Sequence, residues 1–293
     1  MIKNIIFYFL TALIMLIFKI DSSYSSPTIH KAIENTRDFS EPHFSVPPFE
    51  VKNAIVNNKI VETANLDFEF KAFPIGKLSM VSQSGIPTTC TASIINTQDG
   101  NIGLTAGRCL IDSNFQDYEN MTFSPGFDNG TDGVLGEFPV IGYVLPKEYK
   151  ESRNKLFNWG LLKFDNRSLN SSQPLQYFTG ALGYDFEVVN STNTTVQGYP
   201  NGGQFPNCMN IGYELCTWEG VSTLIPGNFT TIPIYVGDDG GYGAPYMTNF
   251  NGGLGTLYSN CGNYDGVNTL GPIYNGIEFQ ALLDEIMAPT FMH

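Results

Sequence analysis

Between Ala72 and Ile286 the apolar residues come in short bursts, and turn-forming residues interrupt nearly every one. Ile75-Gly76-Lys77-Leu78-Ser79-Met80-Val81 leads into Thr88-Thr89-Cys90-Thr91-Ala92-Ser93-Ile94-Ile95; a turn at Thr97-Gln98-Asp99-Gly100-Asn101 precedes Ile102-Gly103-Leu104-Thr105-Ala106. The same punctuation continues through the loop Phe123 to Gly130, the runs Phe138 to Leu145 and Trp159 to Phe164, and Val196-Gln197-Gly198-Tyr199-Pro200. Runs this short are too brief for amphipathic helices and predict an all-β sandwich or barrel. The period changes near the end, where Ile277, Phe279, Leu282, Leu283 and Ile286 recur at helical spacing and predict a short helix docked on the core.

At 293 residues, 42% of them hydrophobic, the chain can bury the core of one large β domain or of two packed barrels. A net charge of −13 with no basic patch leaves nothing to neutralise phosphates, so nucleic acid is excluded as a partner. Residues 1–25 read as a secretion signal, with Lys3 ahead of the apolar run Ile5 to Phe18 and small residues at Ser22, Ser23, Ser25 and Ser26. A membrane anchor is the competing reading, but the run is short for a span. The expectation is therefore a secreted, extracellular chain with no membrane partner after signal cleavage. Residues 26–71, which carry Pro27, Pro47 and Pro48, form an N-terminal extension or pro-segment lying over or outside the domain that occupies 72–290.

Secretion accords with the cysteines, because disulfides persist in oxidising compartments. Cys90 and Cys109 bracket a hairpin and are the natural first bridge, and Cys208 with Cys216 closes a short loop. Cys261 is left over, either free or paired between chains. Asn-x-Ser/Thr sequons stand at Asn120, Asn129, Asn166, Asn170, Asn190, Asn193 and Asn228. They are glycosylation candidates, although an Asn-rich chain also generates sequons by chance. No cofactor and no metal site is expected.

Three segments carry a more specific signal: Leu104-Thr105-Ala106-Gly107-Arg108-Cys109, Asn158-Trp159-Gly160-Leu161-Leu162 and Gly237-Asp238-Asp239-Gly240-Gly241. In order and rough spacing they resemble the triad segments of the chymotrypsin-like (trypsin-like) serine peptidases. With Ile75-Gly76-Lys77-Leu78, Cys90-Thr91-Ala92-Ser93, Pro125-Gly126-Phe127 and Gly198-Tyr199-Pro200, the resemblance extends from about Ala72 to Ile286 and points to the glutamyl-endopeptidase-like branch. It implies two packed antiparallel β-barrels, an N-barrel over about 72–170 and a C-barrel over about 171–290, with the former active site between them.

Each of the three segments lacks its catalytic residue. Arg108 stands at the imidazole position, and a guanidinium cannot accept a proton. Asn158 stands at the position of the orienting carboxylate, and Asp239 at that of the nucleophile, where it has no proton to lose. The resemblance places the oxyanion hole at the backbone N–H groups of Gly237 and residue 239, where a resident anion competes for the donors. Arg108 and Asp239 are expected to form an ion pair across the old cleft. Asp238 keeps the family residue. The segment Gly255-Thr256-Leu257-Tyr258 carries Leu257 where glutamyl specificity would need a His. The remaining histidines, His30, His43 and His293, lie in the extension and at the C-terminus.

Three functional readings follow. In the first, a degenerate-triad peptidase homologue binds a protein or peptide ligand in or near the vestigial cleft. In the second, the chain is an active secreted serine endopeptidase whose triad segments lie elsewhere. In the third, it is a glycosylated structural surface protein.

Overall fold

A computed structural model describes residues 43–47, 53–56, 59–62, 74–165, 167 and 172–289. The expected secretion signal, most of the extension, the sequons Asn166 and Asn170, and His30 and His293 lie outside these residues. All the described residues belong to one compact unit, Phe39–His293. No described helix is long and apolar enough to cross a membrane.

A short hairpin, β1 (Asn53–Val56) with β2 (Lys59–Glu62), precedes the main body. Six strands then close into an antiparallel barrel: β3 (Ile75–Val81), β4 (Pro87–Ile94), β5 (Ile102–Thr105), β6 (Glu119–Pro125), β7 (Phe138–Val144) and β8 (Gly160–Phe164), in the order β3-β4-β5-β8-β7-β6. Alternation sets the barrel-facing side of β3, where Gly76, Leu78 and Met80 are buried, while Ile75 packs in a second cluster with Trp159 and Phe279. Phe123 stacks on Phe164 with centroids 4.6 Å apart. Glycine makes the room for both rings, since a Cβ at Gly76 would lie 2.5 Å from Phe123 and one at Gly103 2.5 Å from Phe164.

The second half is an eight-stranded sheet: β9 (Gly183–Tyr184), β10 (Ser191–Gly198), β11 (Cys216–Ile225), β12 (Phe229–Ile232), β13 (Pro245–Asn251), β14 (Leu254–Asn260), β15 (Asn263–Tyr264) and β16 (Thr269–Pro272). Its order is β15-β16-β12-β11-β10-β13-β14-β9, and every pairing is antiparallel except β14 with β9. Its backbone ladder does not close as that of the first barrel does. Two short helices, α1 (Lys147–Ser152) and α2 (Leu175–Thr179), decorate the loops.

The expected terminal helix is α3 (Gly276–Met287), capped by the Asn275 side chain, which accepts from the backbone of Ile277 and Glu278. Phe279, Leu283 and Ile286 are buried, and Phe279 stacks on Trp159 at 5.4 Å. Ile277 departs from the expectation: at the first turn it is 74% exposed, so the docking face starts at Phe279.

Of the extension, expected over or outside the domain, residues 43–47 lie against it. His43 and Val46 pair as an added strand with Tyr184 and Ala181, through four backbone hydrogen bonds of 2.8–3.0 Å. The other side of the same connector is bonded to the first barrel, with Leu182 N–H donating to Ile94 O at 2.9 Å. Residues 43–47 are thus part of the folded body.

Candidate functional site

The first of the three segments leaves β5 and enters a 3-10 turn, Gly107–Cys109, tied back to β4 by the Cys90–Cys109 disulfide with a Cα–Cα distance of 6.1 Å. Gly107 is required there, because a Cβ would lie 2.7 Å from the Tyr149 ring. The turn aims Arg108 across to the second sheet, where its Cζ sits 3.8 Å from the centroid of the Tyr242 ring. The Arg108 backbone N–H donates to Asn158 Oδ1 at 2.9 Å, which brings the first two segments together.

Asn158 precedes β8, is 2% exposed, and uses both ends of its amide. Its Nδ2 donates to Gly262 O at 2.6 Å and to Asn263 Oδ1 at 3.4 Å. Its backbone carbonyl accepts from Asn260 Nδ2 at 3.3 Å, and Asn260 in turn accepts from Tyr274 OH at 2.7 Å. Asn263 Nδ2 closes the knot by donating to Lys155 O at 3.2 Å. A carboxylate is acceptor-only. At position 158 it would face the Gly262 carbonyl with no proton to offer, so this site is built for an amide.

The third segment is a loop whose shape demands glycine. Gly237 and Gly240 have φ of +89° and +81°. A Cβ at Gly240 would lie 1.8 Å from Tyr199 O, and one at Gly241 1.7 Å from Val236 O. These glycines are explained by backbone packing whatever the loop does chemically. Asp239 Oδ1 accepts from the backbone N–H of Thr89 at 2.7 Å and from its hydroxyl at 2.8 Å, while Oδ2 accepts from Asn201 Nδ2 at 3.3 Å. Backbone bonds reinforce the clasp, Asn201 N–H to Asp239 O at 2.7 Å and Gly240 N–H to Thr89 O at 2.8 Å.

The expected Arg108–Asp239 ion pair is not formed. The ion pairs among the described residues are Lys147–Glu151, Lys163–Asp99 and Arg167–Asp165. Asp239 finds three neutral donors on β4 and the 199–201 segment, and Arg108 finds an aromatic face. Asp238 is exposed and accepts from Tyr242 OH at 3.2 Å. Burial pushes the Tyr242 phenol up to about 12. The Tyr235 phenol is also pushed up to about 12, by burial first and then by its hydrogen bond to Asp238.

Leu257 is fully buried in the core with Tyr184, Met247 and Phe279 and presents nothing to an acidic side chain. His43 stacks on Tyr184 at 4.2 Å, outside the cluster of triad positions. Cys208–Cys216 forms the second bridge, across a Cα–Cα distance of 5.7 Å. Those two sulfurs and Glu214 form the one described grouping close enough to hold a metal, and the disulfide leaves it no thiolate. Cys261 is a free thiol at 0% exposure, and burial pushes its pKa up strongly. The described sequons Asn120, Asn129, Asn190, Asn193 and Asn228 are all exposed. Asn260 and Asn263 had no place in the sequence reading. Two asparagines flanking Cys261-Gly262, in a strand-like stretch poor in charge, were the available signal.

No protein-family model matches this sequence, and no curated protein matches it. Solved structures do. The protease Anisep from Arthrobacter nicotinovorans superposes with a TM-score of 0.62 at 21% identity, covering 73% of this chain and 96% of that one. The thermostable serine protease AL20 from an extremophilic microorganism gives 0.59 at 19% identity, over 74% and 99%. A scabies mite inactivated protease paralogue, S-I1, gives 0.51 at 15% identity, over 74% and 96%. The chain has the chymotrypsin-like serine protease fold, as its sequence segments implied.

Proposed function

We propose that this chain is a secreted protein of serine-peptidase fold that has exchanged peptide cleavage for binding a protein or peptide beside the former catalytic cleft. The observation that supports this most is the chemistry of the three triad positions. Hydrolysis by this route needs a hydroxyl, an imidazole that takes and returns its proton, and a carboxylate that holds the imidazole's tautomer. A guanidinium offers no lone pair to take a proton, Asp239 has no hydroxyl, and the Asn158 amide donates to Gly262 and Asn263. Asn158 and Asp239 are also engaged in hydrogen bonds that hold the two halves together, so each now has a structural reason to be what it is. That a scabies mite protein of this fold is described as inactivated accords with the same reading.

A fluorophosphonate probe tests the loss of cleavage. The mature protein is expected to stay unlabelled under conditions that label a working serine protease, and stoichiometric labelling would overturn the reading. Binding is tested by retention of peptides from a displayed random library, with saturable retention lost on substitution of Tyr118, which lies within electrostatic reach of Arg108. The five exposed sequons support a glycosylated surface, read as a mass loss on enzymatic deglycosylation of protein secreted by a glycosylating host.

A further inference from the structure

Of the three substituted positions, Arg108 alone keeps its side chain's polar groups unengaged. Among the described residues its guanidinium donates no hydrogen bond and has no carboxylate within ion-pair distance; it lies over the Tyr242 ring. It is partly exposed, and none of its nitrogens is among the buried polar atoms lacking a partner, so its N–H groups reach solvent. The chain has 28 acidic residues against 15 Lys and Arg, yet neither carboxylate of the 237–241 loop forms an ion pair with Arg108. Asp238 accepts from Tyr242, and Asp239 is held by Thr89 and Asn201.

The cation is also held in place. Its backbone is fixed on Asn158 and on the disulfide-tied turn, and its side chain is supported by a buried ring. Tyr118, Tyr149, Tyr235 and Tyr242 all lie within its electrostatic reach. Burial raises each of these phenols, so they remain protonated and able to donate. Behind Tyr149 stands a second guanidinium, Arg153, whose Nη1 donates to Tyr149 OH at 3.0 Å and whose Nε and Nη2 are buried without partners. Partly exposed Asp112 lies within reach of Arg153 and offsets part of that charge. A guanidinium with open N–H edges, backed by an aromatic face, matches a planar carboxylate in two parallel hydrogen bonds.

We propose that Arg108 is the anchor for a carboxylate on the bound peptide, so that this cleft selects ligands carrying an Asp or Glu side chain at one position. The inference rests on the cleft-binding reading above and narrows it. The anchor occupies the former imidazole position and is separate from the strand that bears Leu257, where a glutamyl pocket would be read.

The experiment uses the secreted chain and the peptide pool it retains through Tyr118. That pool is expected to be enriched in Asp or Glu at one position. Changing that residue to its amide should weaken binding roughly tenfold or more, the scale of a lost charge-assisted pair. Arg108→Gln, with both disulfides and its circular dichroism intact, should remove the acid-over-amide preference, and Arg108→Lys should restore part of it. A Tyr118-dependent pool without acid enrichment, or a preference that survives in Arg108→Gln, overturns the anchor while leaving peptide binding standing. A library from which nothing is retained through Tyr118 overturns both.

Discussion

Two of the three substituted positions and the third have opposite fates. Asn158 and Asp239 are tied into neighbours on both halves of the molecule, the first through Gly262, Asn263 and Asn260, the second through Thr89 and Asn201. Arg108 has a fixed backbone and an uncommitted head group. Asn158, enclosed by the fold, is a fastener because an unpaired buried polar group is costly, and Asp239, partly exposed like Arg108, is one because Thr89 and Asn201 offer it donors. Arg108 reaches solvent without such a cost and remains available for recognition.

The contrast is open to substitution. The largest effect should come from Asn158→Asp, which restores the family residue and buries a carboxylate against the Gly262 carbonyl. A loss of about 3 kcal/mol in urea unfolding at pH 8 is expected. The loss should shrink in acid, where a protonated carboxyl regains a donor. An Asn158→Asp protein as stable as wild type at pH 8 would break the contrast outright. Asp239→Ala leaves the Thr89 N–H and hydroxyl without their acceptor and should cost about 2 kcal/mol by the same measurement. Arg108→Gln should cost about 1 kcal/mol or less, the worth of a ring contact at a partly exposed site. If it costs as much as Asn158→Asp, Arg108 is a fastener too.

A smaller test separates the cleft from the rest of the pH response. Glu278 in α3 is raised from 4.5 to about 7, by burial first and then by the neighbouring Glu148 carboxyl. An acid whose folded pKa lies above its unfolded one binds more protons when folded, so stability falls as pH rises from about 4.5 through 7. Glu278→Gln should flatten that fall in melting curves between pH 5 and 8. The change should stay below about 1 kcal/mol because the group is partly exposed and solvent screens it. An unchanged slope would remove Glu278 as its source.

The frame was legible because it depends on local text. Short runs, turn clusters and glycines at 237, 240 and 241 are visible in sequence, and each has a near neighbour that explains it. The identities at 108, 158 and 239 were legible for the same reason. What they touch was not. The Arg108–Asp239 pair follows from the family's juxtaposition of imidazole and hydroxyl, but Asp239 has nearer donors on Thr89, far away in sequence, and these lie on a strand with no chemical signature. The Asn158 knot needs Asn260 and Asn263, ordinary residues until the fold brings them to Lys155 and Tyr274. The 43–47 strand was missed because its partner strand is only two residues long and reads as loop.

That strand also sets an order of events during folding. Its partners at 181–184 are made only after the whole first barrel, so it cannot seat until the connector has left the ribosome. A contact between segments so distant in sequence bears the closure entropy of the intervening chain and gains it back late. The earliest-made described segment is therefore among the last to dock. Until it does, the backbone of Ala181 and Tyr184 is an open edge able to pair with another copy of the chain.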